Sequence, residues 1–77
     1  MLLAGMAKET PFKRWRRQVG FTQEQAAEAL GLSRSMIINF DAGEVRGLGE
    51  PAIPTLAVRC LMRAIAEGIE LKPWPGK

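Results

Sequence analysis

Arg34, Ser35, Ile38 and Asn39 are the residues whose types and spacing point most directly to chemistry. On a helix, positions 34, 35, 38 and 39 fall along one face. That face would offer a guanidinium, a hydroxyl, a carboxamide and one branched apolar side chain. A short helix with such polar ends fits the major groove of duplex DNA, where base edges present donors and acceptors. The chemistry is recognition rather than bond-making. The chain has no histidine, which removes His-based acid–base catalysis and Ser-His or Cys-His nucleophilic pairs. Cys60 is the single cysteine, so neither an internal disulfide nor a zinc site can be assembled. No glycine-rich phosphate loop is present, and nothing singles out a working pair of carboxylates. Neither an enzyme nor a cofactor or metal is expected.

The charge agrees with that direction but is unevenly spread. The formal net charge is +3 over 77 residues. Lys8, Lys13, Arg14, Arg16 and Arg17 stand against Glu9 alone, whereas residues 22–50 are net acidic: Arg34 and Arg46 face Glu24, Glu28, Asp41, Glu44 and Glu50. A grip on phosphates is therefore expected from the first helix, through Lys13, Arg14 and Arg17. No segment approaches the roughly 18 apolar residues of a membrane span. The start, Met1-Leu-Leu-Ala-Gly-Met-Ala7, lacks the charged region and the full apolar stretch of a secretory signal. The expected compartment is the cytoplasm, where a lone Cys60 stays reduced.

Punctuation residues define the elements that must position this face. Thr10-Pro11 opens a helix by capping, with Pro where no N–H is needed, and Gly20 stops it after Val19. Phe12, Trp15, Arg16 and Val19 lie along one side of it. Thr22 with Gln25 has the form of a capping box, and Gly31 closes a second helix after about two turns. Ser33 caps a third, running to about Asp41 and stopping near Gly43, with Leu32 and Ile37 spaced as a hydrophobic staple. Residues 44–53 contain two glycines and a proline and read as a loop. A last helix opens around Pro54-Thr55 and continues to Glu67, with Gly68 as its stop. Only Val45 and Ile69–Leu71 hint at strand, so the class is all-α, with four or five short helices. Gly31 at the corner, and Ala26 and Ala27 on the preceding helix, let the second and third helices pack closely, with Ile37 and Phe40 turned inward.

The run Thr22-Gln-Glu-Gln-Ala-Ala-Glu-Ala-Leu-Gly-Leu-Ser-Arg-Ser-Met-Ile-Ile-Asn-Phe-Asp-Ala-Gly43 resembles the phage repressor and Cro-like helix-turn-helix family, also called the XRE family. Arg16, seven residues ahead of Gln23, fits as well, and the likeness extends over about residues 12–66. The resemblance implies a compact, lambda-repressor-like bundle of four to five helices and a DNA-binding transcriptional regulator, with repression its simplest mode. It implies that Gln23 touches a backbone phosphate, and that Arg34, Ser35, Ile38 and Asn39 occupy base-reading positions. There Arg can fork onto guanine and Asn onto adenine, while Ile meets a thymine methyl. It also implies a buried pair between Arg16 and Asp41, although Glu is common in the family where this chain has Asp41.

Residues 10–69 are expected to form the DNA-binding domain, between a flexible N-terminal segment, 1–9, and a Pro/Trp-containing tail, 70–77. So small a core calls for a staple, and self-association is the one left over. On the last helix, Ala57, Cys60, Leu61 and Ala64 suffice to pack it against the domain. Val58, Met62, Ile65 and Ile69 form a second apolar stripe, read as a homodimer interface. A dimer predicts a pseudo-palindromic operator with half-sites about one DNA turn, roughly 34 Å, apart. Trp15 and Trp74 read as packing residues and Cys60 as core. Two other readings fit the same features: an antitoxin-type regulator whose tail binds a toxin, and a helix bundle that binds protein rather than DNA.

Overall fold

The computed structural model describes residues 9–76; the expectations for residues 1–8 and Lys77 lie outside the described residues. Among the described residues four α-helices follow one another: α1 (Pro11–Val19), α2 (Gln23–Leu30), α3 (Arg34–Ala42) and α4 (Leu56–Ala66). The first three begin and end where their caps dictate. Thr10, Thr22 and Ser33 each accept a hydrogen bond from the amide three residues on, and Gly20, Gly31 and Gly43 each end a helix in the left-handed conformation. Thr22 and Gln25 complete the capping box in both directions. Thr55 caps α4, and Gly68 follows Glu67 with φ +76°.

The core is a cluster of Phe12 and Trp15 from α1, Ala26, Ala27 and Leu30 from α2, and Ile37 and Phe40 from α3. Phe12 joins both of the other core aromatics, with ring centroids 5.5 Å from Trp15 and 5.2 Å from Phe40. Ala26 is fully buried, so its lack of bulk is what lets α3 approach α2 and drive Ile37 into the centre. Two polar ties fix the remaining elements. The Thr10 hydroxyl donates to the Asp41 carbonyl at 3.0 Å, fastening the start of α1 to the end of α3. The Trp15 indole N–H donates to the Met62 carbonyl at 2.8 Å, fastening α1 to α4.

The last helix departs from expectation by one residue of rotation. Val58, Leu61, Met62 and Ile65 pack against the core, while Ala57 and Cys60 are exposed. Val58, Met62 and Ile65, expected at a dimer interface, are instead partly buried against the core of their own subunit; of that stripe only Ile69 is exposed. Both stripes have three-to-four-residue spacing, and periodicity does not choose between them. Side-chain size does: even partly buried, Val, Leu, Met and Ile each remove more apolar surface from water than Ala can, gaining a share of the about 1.5–3 kcal/mol that complete burial gives. Cys60 is accordingly not a core residue. Trp74 is not a packing residue either, being 90% exposed in a tail without regular secondary structure. The strand hints come to one isolated bridge, Glu44 to Pro51, which closes the loop after α3; residues 69–71 are exposed and in no strand.

The two helix-closing glycines flanking α3 should differ in their tolerance of alanine. Gly31 has φ +69° and open space where a Cβ would sit, so Gly31→Ala should cost only the left-handed penalty of about 1–2 kcal/mol. At Gly43 (φ +83°) a Cβ would lie 3.1 Å from the Thr10 methyl. Urea unfolding should show Gly43→Ala to be the more damaging of the two, and equal losses would mean that the Thr10 contact yields freely.

Candidate nucleic-acid interface

Asp41 sits at the last turn of α3, where it gathers three elements. Its carboxylate accepts from Arg16 Nε at 3.1 and 3.2 Å, from Arg16 Nη2 at 2.8 Å and from Gln23 Nε2 at 3.0 Å. Arg16 Nη1 also donates to the Phe21 carbonyl at 3.0 Å. The Arg16 and Asp41 side chains are 14% and 9% exposed, and no buried side-chain polar atom among the described residues lacks a partner. A fork-on-carboxylate pair of this kind, largely out of water and fully hydrogen-bonded, sets angle as well as distance. Asp in place of the longer acid is sufficient here because Arg16 reaches its carboxylate directly, and Gln23, at the first position of α2, shares the Oδ2 oxygen with it. The beginning of α2 and the end of α3 are thereby locked together, with α1 behind them.

The surface presented by that lock carries the expected residues unequally. Arg34 and Ser35, in the first turn of α3, are exposed, whereas Ile38 and Asn39 are half-buried. Ile37, between them, is fully buried and anchors the helix. The Asn39 carboxamide is engaged: its Oδ1 accepts from the Arg46 N–H at 3.2 Å. Asn39 thus holds the following turn through one lone pair of its oxygen, while its amide N–H groups make no hydrogen bond within the described residues. Gln23, expected to touch a backbone phosphate, spends one amide N–H on Asp41. Arg17 is exposed but pairs with Glu9 at 2.6 Å, which offsets part of the positive charge expected of α1; Arg14 is exposed and Lys13 half-buried. On α4, Arg63 bonds to Glu67, whose hydrogen bond and negative charge raise the arginine pKa above its ordinary value.

Two residues of this surface were not singled out by the sequence as readers. Met36 lies on α3 and is 41% exposed, placing a flexible thioether beside Arg34 and Ser35. Arg46 projects from the loop immediately after α3, its backbone fixed by Asn39. The signal for Arg46 was an isolated cation between two acids; its position is defined by its amide bond to Asn39 together with the backbone bonds that close the loop.

Two substitutions separate these roles. Asp41→Ala leaves the Arg16 guanidinium largely buried without its counter-charge and should destabilise by about 3–5 kcal/mol. Arg17→Ala breaks an exposed pair and should cost under about 1 kcal/mol. Urea midpoints check both, and similar midpoints would remove the lock from its central role. Asn39→Ala should cost about 0.5–1.5 kcal/mol and speed hydrogen exchange at the Arg46 amide. Unaltered exchange there would show that the turn holds without Asn39.

A helix-turn-helix family model matches residues 12–40, from the second residue of α1 to Phe40 of α3. No curated protein and no solved structure gives a match to the chain. The matched segment contains the whole packed core, the corner at Gly31 and the exposed first turn of α3, and over it the chain is similar to the helix-turn-helix family of the phage repressor and Cro type.

Proposed function

We propose that this protein is a sequence-specific transcriptional regulator, acting by repression, that inserts α3 into the major groove of duplex DNA. The observation that carries the reading is the exposed first turn of α3, set on a helix whose inner face is buried and whose far end is locked by Arg16, Asp41 and Gln23. Rigid presentation of this kind converts a few side chains into a reader of base edges. Arg34 reads guanine through its guanidinium fork, with Ser35 beside it, and Ile38 or Met36 meets a thymine methyl. Phosphate contacts come from Arg14 and Lys13 on α1, from the remaining amide N–H of Gln23 at the positive end of α2, and from Arg46 in the turn that Asn39 holds. Arg17 contributes once it releases Glu9.

The acidic balance of residues 22–50 is milder than the residue count suggests. Asp41 is consumed internally by Arg16 and Gln23. Binding as a two-fold dimer supplies a second reading helix and a pseudo-palindromic operator. The work is done in the cytoplasm, where the DNA is.

Anisotropy titrations with duplexes selected from genomic DNA test the reading. Arg34→Ala should weaken the preferred duplex by about 1–3 kcal/mol and relax preference at one base pair. Arg46→Ala should weaken all duplexes alike and reduce the salt slope by about one. Weak binding that ignores both salt and Arg34 would overturn the assignment.

A further inference from the structure

Two apolar features of the described residues stand without a partner, and they match in kind. One is a groove of about 460 Å³ between the start of α1, the end of α3 and the segment entering α4. Its walls include Phe12, Phe40, Ala52 and Met62, and Ile53 stands 71% exposed beside them. Arg59 also lines it, exposed and with no acidic partner among the described residues. The other is the arm beyond α4, in which every residue from Gly68 to Gly76 is exposed. At its centre Trp74, 90% exposed, stands between Pro73 and Pro75.

We propose that the Trp74 arm of one copy seats in this groove on a second copy, and that the exchange is reciprocal about a two-fold axis. The groove has the volume of an ordinary small-ligand pocket, about 300–1,000 Å³, and accommodates an indole. Its apolar walls suit the ring, and Arg59 supplies a cation for the ring face. Pro73 and Pro75 hold the arm extended before it docks, so less chain entropy is lost on binding. The arm does not occupy its own groove: it is exposed throughout and leaves from the far end of α4, about 16 Å of helix away from Thr55.

The area is sufficient for a dimer. A buried Trp contributes about 150–250 Å². Two of them with the matching groove walls give roughly 600–1,000 Å², and Leu71, Ile53 and Leu56 extend this toward the 1,200–2,000 Å² of stable complexes. Phe40 and Gly43 line the same groove, so an incoming arm braces the end of the reading helix. This deepens the two-fold reading of the preceding subsection and rests on it for its bearing on DNA, whereas the association itself is measured without DNA.

Sedimentation equilibrium and tryptophan emission of the full chain, over a rising concentration series, provide the test. Trp15 is buried throughout, so a blue shift that accompanies dimerisation and vanishes in Trp74→Ala belongs to the arm. Trp74→Ala should weaken dimerisation about thirtyfold or more. Ile53→Asp, at an exposed position that leaves the core intact, should do likewise. Mixing the two variants should restore part of the association, because the intact arm of one can seat in the intact groove of the other, which recovers one of the two exchanges. A chain that stays monomeric, a dimer indifferent to Trp74→Ala, or a blue shift without a change in mass each overturns the proposal. Dimerisation as expected with no affinity for any duplex would instead remove the DNA reading and leave the arm exchange standing.

Discussion

The carboxylate of Asp41 is the constraint on which the arrangement depends. One side chain takes four hydrogen bonds from two residues, Arg16 on α1 and Gln23 at the head of α2, while the backbone carbonyl of the same residue accepts from Thr10. These contacts converge at the end of α3, opposite the exposed turn that carries Arg34. A helix of nine residues has little stability of its own. Its direction must be imposed from outside, and hydrogen bonds with fixed angles impose direction better than apolar contacts, which are indifferent to rotation.

The hydrophobic core complements that lock. Among the described residues it consists of seven buried ones, and the large ones, Phe12, Trp15 and Phe40, meet at tilted angles beside two alanines of α2. The alanines are the reason that two short helices can approach closely enough for Ile37 to disappear from solvent. α4 is held differently. None of its residues is buried, and its attachment rests on four partly covered side chains and the Trp15 bond to Met62. The outer face of α4 and the arm beyond it therefore carry apolar surface that a monomer does not use.

Charge in this chain has to be counted by location rather than by segment. The acidic excess of residues 22–50 would oppose a polyanion if every acid faced it. Asp41 is neutralised inside the fold, while Glu9, outside the segment, neutralises part of the basic helix. The surface left near α3 is defined by Arg34 and Arg46, whose positions come from two unrelated devices, a helix cap at Ser33 and a carboxamide at Asn39.

The sequence by itself determined the helices, because caps and stops are local. Thr10, Thr22 and Ser33 can satisfy orphan amides wherever the chain goes, and Gly20, Gly31 and Gly43 accept the left-handed conformation at no steric cost. It also gave the exposed position of Arg34 and Ser35, since a polar pair opposite Ile37 and Phe40 has only one face to occupy. Tertiary structure decided what depended on partners remote in sequence. Asn39 is drawn to Arg46, and Gln23 to Asp41 eighteen residues away. Which of two equally periodic stripes on α4 turned inward was settled by side-chain volume against a core that no single segment specifies. Periodicity fixes that a helix has an apolar side; only the shape of the opposing surface selects the side when two are available.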